Sequence, residues 1–277
     1  MDDPYKLPDG PVAIQFSGGR TSGYMLWHIL DRYDGKLPTD CHVLFQNTGR
    51  EMPETLDFVQ RCSSEWGVHI KWLEYRNNDI GYEGVSHNSA SQNGEPFTVL
   101  IEKKKYAPNR VARFCTQELK VRPSKKWMMD QGYEHWFAII GFRADEERRT
   151  KGKSADRERW DCYYPLFHAG VARRDVEHWW SRQQFDLNLP TFNGKTALGN
   201  CDGCFLKSEK NRAWLARYMP DRAKWWADVE AAGKFFSPPD EGKTWGKLIG
   251  HAASQSDWVF NEENDTYCDT GFGGCHD

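Results

Sequence analysis

A chain of 277 residues and 32.2 kDa has room for one large domain, or for a main domain with a small appendage. Hydrophobic residues at 39% and charged residues at 28% exclude a mostly disordered chain, and a net charge of −3 excludes a general polycationic binder of nucleic acid while leaving a local basic patch open. No apolar run reaches the ~18–20 residues that span a bilayer, and the acidic start Met1-Asp2-Asp3-Pro4 is no signal peptide, so a cytoplasmic protein without a membrane partner is expected.

The first half alternates strand and helix signals. Val12-Ala13-Ile14-Gln15-Phe16 reads as a buried strand, running through Ser17-Gly18-Gly19-Arg20-Thr21-Ser22 into a helix that carries Tyr24 to Leu30. His42 to Gln46 is a second strand. Glu54 to Trp66 is a helix started by Pro53, with Leu56, Phe58, Val59 and Cys62 as its apolar positions. Val68 to Tyr75 is a third strand, and Asn77 to Gly94, rich in Gly, Asn and Ser, reads as a surface loop. Lys103-Lys104-Lys105 reads as a solvated face, with a contact to phosphate or nucleic acid as the other reading. A helix is expected over Leu119 to Gln131, a fourth strand over Trp136 to Ile140, and a charged stretch over Asp145 to Arg159.

Strands separated by helices imply parallel pairing and a sheet covered on both faces. The expected fold class is therefore α/β, a doubly wound Rossmann-like parallel sheet over residues 1–190. A smaller, mostly helical portion follows over 191–277, with Trp214, Leu215, Trp225 and Trp226. Ligands of such sheets bind outside the carboxyl ends of the strands.

Ser17 to Ser22 lies where the first strand hands over to a helix. Two glycines permit a tight turn and close backbone approach, the helix start offers N–H groups and a positive dipole end, and Ser17, Thr21 and Ser22 add hydroxyls. That is a site for phosphate or pyrophosphate, although neither GxxxxGKS/T nor GxGxxG is present. The plain alternative is an ordinary strand-to-helix turn.

Eight cysteines in a cytoplasmic chain argue for metal binding or catalysis over disulfides. Cys41 and Cys62 sit inside apolar patterns and read as buried packing residues. Cys201-Asp202-Gly203-Cys204 is the strongest metal signal, since two thiolates three residues apart can face one metal. No second CxxC follows, so further ligands must come from afar. Cys115 is the first choice because Arg110, Arg113 and Lys120 favour its thiolate. Cys275 or Cys268, in the tail, would be the fourth ligand, and His276 stands beside Cys275. The nine histidines show no paired ligand spacing.

Ser17 to Ser22 resembles the SGGxxS PP-loop of the adenine-nucleotide alpha-hydrolase superfamily. Asn47-Thr48-Gly49-Arg50-Glu51-Met52-Pro53-Glu54-Thr55 is similar to the TG…PET segment of the phosphoadenosine-phosphosulfate (PAPS) reductase branch. Cys115 to Pro123 is similar to its Cys…Lys…Pro segment, and Gly141 to Glu146 with Arg148 and Arg149 to its GxRxxE…R segment. The resemblance covers roughly residues 12–190, in the family's order. It implies a Rossmann-like domain binding ATP or a related adenine nucleotide, with Mg as an optional companion ion. Ser17, Gly18, Gly19, Arg20, Thr21 and Ser22 would form the phosphate loop, Asn47, Thr48 and Gly49 the nucleotide-facing strand end, and Arg143, Arg148 and Arg149 anion clamps. Ser17 and Arg143 are the candidate catalytic residues. Arg20-Thr21 stands where the family often carries Lys-Asp. Iron–sulfur members place a Cys at the position of Cys115 and a CxxC further on, which implies a [4Fe–4S] cluster on Cys115, Cys201, Cys204 and Cys275, with zinc as the alternative. Gly18→Val is expected to abolish nucleotide binding and leave the fold largely intact.

Three functions compete. The first is ATP-dependent sulfur transfer to an acceptor such as a nucleobase, through an adenylated intermediate. The second is a sulfonucleotide reductase releasing sulfite from PAPS or adenosine phosphosulfate (APS), with a thioredoxin-type thiol as reductant; Gly274-Cys275-His276 only partly echoes that branch's Cys-Gly-Leu-His nucleophile motif. The third is a non-enzymatic, nucleotide-regulated iron–sulfur or zinc protein.

Overall fold

The computed structural model describes residues 3–151, 158–192, 195–237 and 244–254. Its main sheet has six strands in the order β4-β3-β2-β1-β5-β6. They are β1 (Val12–Gln15), β2 (Cys41–Asn47), β3 (Ile70–Tyr75), β4 (Tyr82–Val85), β5 (Trp136–Ile139) and β6 (Trp160–Tyr163). All neighbours pair in parallel except β3 and β4. Val12 stands opposite Cys41 on one side and Phe137 on the other. The chain thus leaves β1 toward β2 in one direction and reaches β5 in the other, which opens a crevice at the carboxyl end of β1.

Both faces of the sheet are covered, as the near-continuous apolar strands require. Val12, Ile14, Val43 and Phe45 point into one buried cluster, with α1 (Arg20–Arg32) and α2 (Pro53–Glu65) on that face. Ala13, Leu44, Leu73 and Ala138 point into a second, closed by Trp127 and Met128 of α5 (Arg122–Asp130). Pro53 opens α2 at a position where its missing N–H costs nothing, and Glu54 follows where the dipole favours an acid.

Two expectations are corrected and one strand is added. The stretch 77–94 is no plain loop, because it contains β4. This short, polar, half-exposed edge strand carries Glu83 and has no apolar alternation to betray it. β6 was also not foreseen; it is only four residues long, and its Trp160 stacks on Trp136 at 5.5 Å. The helix expected from Leu119 begins earlier: α4 (Phe114–Thr116), a π-helical turn (Gln117–Val121) and α5 follow without a break. Cys115 therefore lies in the first turn of a helix, not before one.

After β5 come a 3-10 turn (Ala144–Glu146), α6 (Glu147–Thr150), and, beyond β6, α7 (Pro165–His168) and α8 (Arg173–Trp180). A two-stranded hairpin, β7 (Thr191–Phe192) and β8 (Lys195–Thr196), precedes three helices, α9 (Glu209–Tyr218), α10 (Pro220–Ala231) and α11 (Trp245–Ser254). α3 itself (Glu95–Lys104) lies beside the sheet and gives Phe97 to the junction. One buried cluster runs from Val12 and Phe45 through Phe97 to Leu215, Trp226, Trp245 and Leu248, so the C-terminal helices share the core of the sheet. No described helix is long and apolar enough to cross a membrane.

Candidate functional site

The loop after β1 turns through Gly18 at φ +78°, a left-handed conformation that suits glycine. A Cβ there would stand 2.7 Å from Thr55 Cγ2. Gly18→Val would therefore strain the turn and push on α2. Gly19 caps α1 in an extended conformation.

Ser22 is fully buried and works inside the loop. Its hydroxyl accepts from Ser17 N (3.2 Å), Ser17 Oγ (3.0 Å) and Gly19 N (3.3 Å), and donates to Gly19 O (2.9 Å). Arg20 turns away from the loop: its fork holds Asp186 (2.7 and 2.6 Å) and donates to Thr191 Oγ1 (2.9 Å). Buried Thr21 accepts from Arg143 Nη1 at 3.1 Å.

Arg143 is 2% exposed, with Nε on Asp145 (2.9 Å) and Nη1 3.3 Å from Glu146. It is built into the protein as a brace between α1 and the turn after β5. Arg149 is also buried, paired with Glu146 at 2.5 Å and seated over the ring of Phe142 at 4.3 Å. Only Arg148 of the three expected clamps is exposed.

The end of β2 is a second braced corner. Asn47 donates to Glu74 (2.6 Å) and to Ser91 O (2.8 Å), and accepts from Gly49 N (3.0 Å). Glu74 is fully buried and also accepts from Ser91 N and Oγ, which pins the stretch before α3 over the strand ends. Thr48 gives its N–H and its hydroxyl to Glu51 Oε2, both at 2.8 Å. Burial raises the proton affinity of Glu51; Lys120 and these hydrogen bonds oppose it. Around this corner Gln46 Nε2 and Thr55 Oγ1 are buried with no hydrogen-bond partner among the described residues. Buried polar groups without a protein partner at the strand ends are suited to a polar ligand in the crevice.

Sequence-distant thiols meet beside this corner. Cys115, Cys201 and Cys204 line one cavity, together with Thr48, Phe97, Arg113, Thr116, Leu119, Lys120, Phe205, Leu206 and Trp226. The helical spacing puts Cys115, Leu119 and Lys120, with Thr116, on the same wall. Cys201 Sγ lies 3.2 Å from Thr48 Oγ1. Lys120 stands 3.9 Å from Glu51 and 3.4 Å from Asn200 Oδ1. Three thiols with cationic neighbours form a donor set that suits thiolate ligation. No three His, Cys, Asp or Glu side chains among the described residues are already gathered as a metal-binding group. Cys275, its reserve Cys268 and His276 lie outside the described residues. Cys41 and Cys62 are buried away from this cavity, as expected of packing cysteines.

Sequence reasoning missed what holds the CxxC loop. Asp202 is fully buried and takes four hydrogen bonds: from Arg50 Nη2 (2.7 Å), Arg222 Nε (2.5 Å), Trp226 Nε1 (2.8 Å) and Gly203 N (2.7 Å). Its own N–H donates to Arg50 O at 2.9 Å. Arg50 lies over Trp225 at 4.9 Å. A Cβ on Gly203 would come within 2.3 Å of Trp226 Nε1, so glycine is required there. Lys207 donates to the carbonyls of Ala197 and Gly199 and closes the other side of the loop. The one available sequence signal was an aspartate between the two cysteines.

Residues 11–189 match the model of a family described as phosphoadenosine phosphosulfate reductase domain. The uncharacterized nin region protein ORF290 of Escherichia phage lambda is 33% identical over 207 residues, which are 71% of this chain and 66% of that protein. The chain thus spans just under two thirds of that relative's length. Among solved structures, a phosphoadenylyl-sulfate reductase from Candida auris in a phosphate complex aligns at 17% identity over 64% of this chain and 73% of its own, with a TM-score of 0.37. The U34-tRNA thiolase NcsA from Methanococcus maripaludis, solved with its [4Fe-4S] cluster, aligns at 15% identity over 87% of this chain and 73% of its own, with a TM-score of 0.34.

Proposed function

The chain belongs to the phosphoadenosine phosphosulfate reductase domain family, and from that premise we propose that it is a PP-loop enzyme that binds ATP and transfers sulfur to an acceptor, with Cys115, Cys201 and Cys204 as ligands of a [4Fe–4S] cluster or, alternatively, zinc. The observation that carries this reading is the shared cavity. Three thiols line it, and one of its walls is Thr48 at the carboxyl end of β2. Nucleotide chemistry and thiol chemistry would then meet at one strand end.

In this reading the phosphates lie on the backbone N–H groups of Ser17 to Gly19 and on the N-terminus of α1, with Mg as companion ion. The Ser17 hydroxyl, half-buried at the rim, turns from Ser22 to a phosphate oxygen. An acceptor oxygen attacks the α-phosphate, the bond from that phosphorus to the bridging oxygen breaks, and pyrophosphate leaves with the electron pair. Sulfide then attacks the adenylated carbon of the acceptor, the carbon–oxygen bond to the adenylate breaks, and AMP leaves with the electron pair. The cluster, when bound, supplies an iron Lewis acid able to hold sulfide. Arg143 serves as a positioning residue that fixes Thr21 and the turn after β5. Fixed N–H groups and cations aimed at developing phosphate charge are the main source of rate in such a site.

A second reading, release of sulfite from PAPS or APS, is favoured by the family match itself. The two separate on product. Pyrophosphate release from ATP, dependent on acceptor and sulfide, supports transfer, whereas thioredoxin-dependent sulfite release from PAPS overturns it. Anaerobically purified protein is expected to carry iron and acid-labile sulfide, and Cys115→Ala, Cys201→Ala or Cys204→Ala should lower both sharply. Cys62→Ala should not. Full iron in Cys115→Ala and Cys201→Ala would overturn the ligand set.

A further inference from the structure

Residues 105–113, which lead from α3 to α4, carry side chains that local structure does not explain. The two lysines before them are accounted for. Lys103 donates to Tyr75 OH at 3.4 Å, Lys104 pairs with Glu118 at 2.8 Å, and both sit in the last turn of α3, where cations suit the dipole. Lys105 differs. It is exposed, and it holds φ at +69°, a left-handed position that glycine or asparagine fills with less strain. Tyr106 is 47% exposed, supported edge-on by Phe114 at 5.0 Å.

Asn109 then builds a turn. Its side chain accepts from Val111 N (3.0 Å) and Ala112 N (2.9 Å), and its N–H donates to Ala112 O (3.2 Å). That turn holds Arg110 and Val111 outward, with Val111 96% exposed. Arg113 follows and lines the thiol cavity. Lys105, Arg110 and Arg113 make no ion pair among the described residues. The carboxylate nearest in sequence on the following helix, Glu118, is taken by Lys104 and Arg122.

We propose that residues 105–113 dock a single-stranded nucleic acid, the sulfur acceptor, with phosphates on Lys105, Arg110 and Arg113 and a base stacked on Tyr106. The identity of the acceptor rests on the thiol cavity being the reaction centre, as argued above; the docking itself does not. Exposed aromatic and apolar side chains interleaved with unpaired cations fit unstacked bases on a phosphate backbone. An acidic protein would use the charges and leave Tyr106 and Val111 without a role. The path from Val111 to Arg113 leads a docked strand to the thiols.

The test is fluorescence anisotropy of the full chain with fluorescein-labelled mixed-sequence DNA and RNA strands of roughly 20 nucleotides, between about 50 and 200 mM salt. Lys105→Glu with Arg110→Glu is expected to weaken binding by at least about tenfold and to flatten its salt dependence. Tyr106→Ala should weaken it about fivefold or more with the salt slope unchanged. ATP binding, measured on the same samples, should be unaffected in all variants. No oligonucleotide binding at low salt, or binding indifferent to all three substitutions, overturns the proposal. So does equal displacement by polyglutamate with no effect of Tyr106→Ala, which marks an acidic-protein surface. Retained oligonucleotide binding in a protein that neither binds ATP nor carries metal would overturn the function proposed above and leave the docking loop standing.

Discussion

Asp202 is fully buried where it meets Arg50, Arg222 and Trp226. A buried ion pair adds little net stability when whole but is costly to break from one side. Asp202→Ala would leave the Arg50 guanidinium, 3% exposed, without its carboxylate. We expect a loss of about 3–5 kcal/mol in urea denaturation, against a much smaller loss for removal of an exposed pair such as Lys224–Asp228. Similar losses for the two would show that Asp202 is not buried as described. At the same scale, the turn after β1 occupies its own polar groups: Ser22 is taken by the backbone and Ser17, and Thr21 by Arg143. The sequence shows their hydroxyls and charges but not which of them face outward.

The continuous helical stretch from Phe114 to Asp130 sets the chemistry of its first turn. Cys115 is half-buried there, as is Cys204 across the cavity, whereas Cys41 and Cys62 lie in the core. Burial pushes the Cys41 thiol up to about 12 and that of Cys62 up as well. Iodoacetamide at pH 8 on chelator-treated native protein should therefore label Cys115 and Cys204 and spare Cys41 and Cys62, read by peptide mass. Labelling of Cys62 at the rate of Cys115 would contradict the burial. In α10, burial raises the proton affinity of Glu230, whose Oε2 accepts from Trp245 N at 2.6 Å. A carboxyl whose folded pKa is raised contributes stability below its unfolded pKa and loses it as pH rises through the folded value. Glu230→Gln keeps the acceptor and removes the titration. The variant should match the wild type near pH 4 and exceed it at pH 8; a gap that closes with rising pH would reverse the sign.

At the scale of the whole molecule, the sheet and the C-terminal helices share one core through Phe97, Trp225 and Trp226, whose rings pack at 5.6 and 5.7 Å from Phe97. The lock of Arg50 and Asp202 crosses the same junction. Thermal unfolding followed by far-UV circular dichroism and by tryptophan fluorescence should give coincident transitions. Two separated transitions would mean that the helices fold apart from the sheet.

Local pattern alone determined the parallel α/β core. β1, β2 and β3 are apolar runs bounded by turn residues, and Pro53, Gly18 and Gly19 punctuate them in ways that the backbone dictates. The glycine turn between β1 and α1 was legible too, and the family resemblance put Cys115 with the CxxC, which line one cavity. The edge strand β4 was not, since it is held by β3 and needs no apolar face of its own. Nor were the roles of Arg20, Thr21, Asn47 and Arg143. Each side chain has several possible partners, and only the packing of β1, β5 and α8 decides that Arg20 reaches Asp186 and Arg143 reaches Thr21. Asp202 and Arg50 are 152 positions apart. A hydrogen bond over that distance leaves no trace in local composition, because its geometry exists only after the sheet and the helices have closed on a common core.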